Sequence, residues 1–216
     1  MKPNKQMAGG MTMVAATILA AFAEGCCADG RCNEPETARY GVVKIAFGAS
    51  IDGTAPWRAD QLQALAPLDR ELDALGPDFV TVSESDPQSI VVRPATLPRG
   101  VCGRYRLGED MVEVDPTCTQ GYLALRKAAA HELVHALLWR RFQWAKHLCW
   151  FPLNSPVPRE CHPTIVCREC LMSPNLHPDD TWGDTIEEYV PGVAIPEPQP
   201  DDVRLVRACY DNGRCE

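Results

Sequence analysis

Apolar residues run almost unbroken through residues 40–47 (YGVVKIAF), the pattern of a strand buried in a sheet. Over residues 59–75, Leu62, Leu65, Leu68, Leu72 and Leu75 recur at helical spacing among charged residues. That predicts an amphipathic helix covering one face of the sheet, with Pro77 at its end. Residues 79–82 and 89–92 predict short strands, and 103–107 with 111–114 predict a hairpin turning at Gly108-Glu109-Asp110. Residues 122–139 then carry Leu123, Leu125, Ala129, Leu133, Val134, Leu137 and Leu138 at helical spacing, behind a candidate capping box at Thr117-Cys118-Thr119-Gln120. After a Pro-rich stretch at 191–200, Asp201-Asp202 caps a last short helix over 201–210. The order predicts an α+β fold: a twisted mixed sheet with helices on one side, one long helix, and a disulfide-rich C-terminal part. No internal repeat is present.

Composition narrows this picture. With 216 residues, 45% of them apolar, the chain can bury one sizeable core, so residues 40–216 are expected to form a single domain. A net charge of -8 leaves no electrostatic footprint for nucleic acid. Lys2 and Lys5 precede a short apolar run, 11–23, that ends in Ala21-Phe22-Ala23. The run is too short to span a bilayer and ends in the small residues a signal peptidase needs. Residues 1–23 therefore read as a signal peptide and 24–39 as a Cys-rich leader, placing the mature protein outside the cell or in its envelope. A lipid anchor at Cys26 is the alternative. All eleven cysteines lie beyond the signal segment, as expected of an exported, disulfide-bonded protein. The count is odd, so one thiol has another fate. Cys102 and Cys118 bracket the hairpin and are one candidate pair.

The candidate chemistry lies on the long helix, in Ala130-His131-Glu132-Leu133-Val134-His135-Ala136. On a helix, His131 and His135 stand one turn apart on one face, near enough to hold a single Zn²⁺ through two imidazoles. Glu132, beside the first of them, can take a proton from zinc-bound water and pass it to a leaving amine, the general-base role in amide hydrolysis.

Together with the HELVH signature, Cys170-Leu171-Met172-Ser173-Pro174 resembles the Met-turn of the metzincins, the zincin metallopeptidases in which a methionine lies beneath the zinc-binding histidines. The resemblance implies a zincin-like fold, a secreted zinc metalloendopeptidase acting on protein or peptide substrates, and Met172 as the supporting residue. The chain departs from that family's longer motif, which supplies a helix-breaking glycine and a third histidine: Leu138 and Arg141 stand at those positions. The third ligand must come from elsewhere. No Gly or Pro interrupts residues 122–151, and a helix continuing through them would carry His147 roughly 18 Å past His135. His162 follows a Pro-rich turn ten residues before Met172 and is the expected third ligand, with His147 the alternative. Carboxylates at Glu160, Glu169, Glu187 or Glu188 are further candidates. Cys161-His162 with Cys167 and Cys170 suggest either two disulfides or a second, structural zinc site, the disulfides being preferred in an exported protein. Two other classes fit the same residues: an inactive zincin-like binding protein, and a disulfide-rich envelope protein without metal.

Overall fold

The computed structural model describes residues 39–98, 101–117, 122–148, 156–157, 159–163, 170–172 and 198–215. The expected signal peptide, most of the leader, Cys26, the capping box after Thr117, and Glu169, Glu187 and Glu188 lie outside them. The protein is a mixed α/β structure built on one five-stranded sheet. Its strands are β1 (Val42–Phe47), β2 (Asp78–Thr81), β3 (Ile90–Pro94), β4 (Gly103–Arg106) and β5 (Met111–Val114), in the order β2-β1-β3-β5-β4. β2, β1, β3 and β5 run parallel; β4 pairs antiparallel with β5, from Gly103 opposite Val114 to Arg106 opposite Met111. The mixed sheet follows from the connections. β1 and β2 are joined through helices, as parallel neighbours require, whereas β4 and β5 share a tight turn in which Gly108 (φ 82°) and Asp110 (φ 47°) adopt left-handed conformations.

Among the described residues four α-helices accompany the sheet: α1 (Ala59–Leu65), α2 (Leu68–Leu72), α3 (Tyr122–Phe142) and α4 (Pro200–Asn212). The single helix expected over 59–75 is divided, because Pro67 has no N–H to donate and its ring crowds the preceding turn. The apolar spacing survives the break. Leu65, Leu68, Leu72 and Leu75 are all fully buried, and each contributes roughly 1.5–3 kcal/mol relative to exposure. Their partners are Ile45 from β1, Ile90 and Val92 from β3, Val112 and Val114 from β5, and Ala129, Leu133, Val134 and Leu137 from α3.

β3 shows why the cover is one-sided: Ile90, Val92 and Pro94 are buried, while Val91 and Arg93 between them are only half-buried. The outer positions carry charge pairs, Lys44 with Asp86, Arg93 with Glu84, and Arg104 and Arg106 with Glu113. Among the described residues β4 is an edge strand, and α3 packs against it and β5.

α4 begins with Pro200 at its first position behind Gln199, whose N–H donates to Asp202, and ends at Gly213 in the left-handed conformation (φ 68°). A Cys209–Cys215 disulfide folds the tail back onto it. Among the described residues no helix is long and apolar enough to cross a membrane.

Candidate metal centre

α3 presents His131 and His135 on the same face, one turn apart, as their spacing predicts. The helix does not continue through residue 151. Gln143 takes a left-handed conformation (φ 55°), and its backbone N–H donates to the Trp139 carbonyl at 2.9 Å, a helix stop normally made by glycine. The Gln143 side chain donates to the same carbonyl at 2.9 Å, an added bond glycine lacks. The chain therefore turns back five residues after the position where the metzincin glycine would stand.

The turn brings His147 home. Its Nε2 lies 3.0 Å from His135 Nε2, which lies 3.1 Å from His131 Nε2. His131, His135 and His147 thus offer ligand atoms all within 4.8 Å of one another, close enough to bind one metal ion. Three imidazole nitrogens on one tetrahedral ion would stand about 3.3 Å apart at ordinary Zn–N lengths.

His147 replaces His162 as the third histidine of the cluster. His162 is buried and its ring faces Trp144, with centroids 6.1 Å apart; its backbone N–H donates to the His147 carbonyl at 2.7 Å. Glu160 contributes through its backbone as well, its carbonyl accepting from the His147 N–H at 2.6 Å, while its side chain is exposed. His147 is thus held by a short parallel pairing with residues 160–162. Arg141 lies over the Tyr210 ring at 4.4 Å and joins α3 to α4.

The segment Cys170-Leu171-Met172 packs against the histidines' helix: the Leu171 carbonyl accepts from His131 Nδ1–H at 2.7 Å. With the proton on Nδ1, His131 Nε2 keeps its lone pair for a metal. Nδ1 of His135 and of His147 are buried without a hydrogen-bond partner among the described residues. Met172 is fully buried in the core. Cys102, Cys161 and Cys170 are disulfide-bonded, so the thiolates of Cys161 and Cys170 are not free for a structural zinc; the partner proposed for Cys102, Cys118, lies outside the described residues.

The electrostatics favour neutral ligands. Burial, reinforced by His147, pushes the His131 imidazole down to about 3; burial pushes His147 down to about 4; and burial with both neighbours holds His135 well below the usual histidine range. Neutral imidazoles are the form that binds metal.

Glu132, next to His131 on α3, lies against β4. Its Oε2 accepts from the Tyr105 N–H at 2.7 Å, and burial pushes its carboxyl up to about 7 despite that bond. Gly103 makes room for it: a Cβ there would stand 2.7 Å from Glu132 Cγ and 3.3 Å from the Ala128 carbonyl. The signal missed in the sequence was this glycine, which reads as an ordinary strand residue until α3 is placed beside it.

No protein-family model matches this chain, and no curated protein matches it in sequence. Among solved structures, a chain of the GM1-bound form of the ECX AB5 holotoxin is similar to it, with 16% sequence identity, a TM-score of 0.41, and coverage of 81% of this chain and 82% of that one.

Proposed function

We propose that the protein is an exported zinc-dependent metalloendopeptidase resembling the metzincins, with His131, His135 and His147 as ligands and Glu132 as general base. The observation that carries the reading is the convergence of three Nε2 atoms from neutral imidazoles, next in sequence to a carboxyl whose proton affinity burial has raised to about 7. Three nitrogens leave a tetrahedral ion one open position, the arrangement of catalytic rather than structural zinc. Zinc held there would supply Lewis-acid polarisation of a carbonyl and a water acidified toward neutrality. Glu132 supplies the proton traffic: near its own pKa a carboxyl accepts a proton at Oε1 or Oε2 and returns it to the leaving amine with little penalty in either direction. Among the described residues β4 is the sheet edge, the kind of edge on which an extended peptide adds as a strand, and its Tyr105 N–H already donates to Glu132.

Metal removal tests the reading directly. Incubation with a strong chelator is expected to abolish cleavage of an unfolded protein substrate, and added zinc to restore it; cleavage that persists in metal-free protein, confirmed by elemental analysis, rules the mechanism out. The position of Glu132 gives a second test. Gly103→Ala forces Glu132 or the strand to move by a few tenths of an ångström or more, and kcat/KM on a peptide is expected to fall about 10–100-fold while zinc per chain is unchanged. An unaltered rate would show that the contact with β4 plays no part in placing the base.

A further inference from the structure

We infer that Asp202, on the C-terminal helix, is a positioning residue for the histidine site, acting on His131 and His147 together through the turn Leu171-Met172. For its purpose, though not for its geometry, the inference rests on the metal-site reading above.

Asp202 is fully buried and accepts three backbone hydrogen bonds: Leu171 N–H to Oδ2 at 2.8 Å, Met172 N–H to Oδ1 at 2.9 Å, and Gln199 N–H to Oδ2 at 2.8 Å. The carbonyls of the same turn point to the site. Leu171 C=O accepts from His131 Nδ1–H at 2.7 Å, and Met172 C=O accepts from the Leu148 N–H at 3.0 Å, next to His147. One peptide unit therefore stands between the carboxylate and the first ligand, with its N–H on Asp202 Oδ1 and its C=O on His131 Nδ1–H. Metal-bound histidines commonly donate their outer N–H to a carboxylate; here a peptide group is inserted into that contact. A negative charge on the N–H side polarises the peptide, makes its carbonyl a stronger acceptor, and so holds His131 in the tautomer that leaves Nε2 bare.

The chemistry calls for a carboxylate. Two adjacent N–H groups and a third from Gln199 meet a group with two oxygens and no proton; a carboxamide would turn an NH₂ against one of them. A buried charge is costly to a fold that needs only packing, and apolar replacements of buried ionic groups are often tolerated. Lys127, one turn before His131 on α3, supplies the opposing charge.

The test compares the full chain with Asp202→Asn and with Asp201→Asn, which removes the neighbouring carboxylate, paired with Arg204 at 3.3 Å. Zinc affinity is measured by competition with a chromophoric chelator, and the His131 ring nitrogens by ¹⁵N NMR of the metal-free proteins. Asp202→Asn is expected to weaken zinc binding about 10–100-fold and to move the His131 nitrogen shifts toward tautomer averaging. Asp201→Asn is expected to change affinity by no more than about twofold. Wild-type affinity and unmoved His131 shifts in Asp202→Asn overturn the inference. Should Asp202→Asn fail to fold, amide exchange in the unaltered chain decides: zinc must slow exchange at Leu171 and Met172, since coupling between the two grips is reciprocal, and unchanged exchange overturns it. If the unaltered chain takes up no zinc, the metal reading falls, and the His131 shifts alone decide the positioning role.

Discussion

Protein carrying His147→Ala is expected to lose its zinc, whereas His162→Ala keeps about one ion per chain. His147 supplies one of three nitrogens that converge, with its Nε2 3.0 Å from that of His135. Removing it leaves two ligands on one helix, and the loss of affinity must exceed the roughly 10–100-fold that follows loss of an outer partner. His162 contributes differently. Its link to the site runs from its backbone N–H to the His147 carbonyl, and alanine retains that N–H. Its ring packs near Trp144, so the expected cost is one of packing and falls on thermal stability. Elemental analysis of the purified variants, with His131→Ala as the common negative, checks both halves at once. Zinc kept in His147→Ala and lost in His162→Ala would return the third place to His162 and refute the geometry.

Two histidines of the cluster, and Glu132 that we propose as the base, were legible in the sequence because they sit on one regular element, where spacing alone dictates which side chains share a face. The order of strands and helices was legible as well: the apolar patterns at 40–47, 89–92, 111–114 and 122–139 fall close to β1, β3, β5 and α3. What failed was punctuation. Pro67 divides a helix whose leucine spacing continues across it, and Gln143 ends one where neither glycine nor proline gives warning. At Pro67 a local helix breaker overrides the leucine periodicity, whereas at Gln143 the helix ends with no local breaker present. His147 was unreadable for a further reason, since its position depends on partners 13 and 15 residues onward: its N–H bonds to Glu160 and its carbonyl accepts from His162. Asp202 could be read as a helix cap, which it is, but nothing local shows that the same carboxylate also grips a turn 30 residues earlier.

Glu132→Gln should separate chemistry from folding more sharply than any other substitution in the chain. The three imidazoles are untouched, so zinc content is expected to stay at that of the unaltered protein, while peptide cleavage falls by about 10²–10⁴-fold with loss of the proton acceptor. Stability should move the other way in the metal-free protein. An unfolded Glu132 ionises near 4.5, whereas burial holds its proton in the folded state up to about 7. Between those values the folded state binds more protons than the unfolded one, so the stabilisation present below about pH 4.5 is lost as pH rises through about 7. Above that, the buried carboxylate costs on the order of 2 kcal/mol, taken at the lower end because the side chain is only part-buried. Glutamine cannot ionise and escapes that cost. Metal-free Glu132→Gln should therefore melt above the metal-free parent at pH 8 and beside it at pH 4. A carboxyl held where burial destabilises its own charge is a candidate for reaction, and it is on this ground that we propose Glu132 as the base. If the variant cleaves as fast as the parent, Glu132 is not the base; if both hold zinc and neither cleaves any peptide, the site belongs to a zincin-like binding protein.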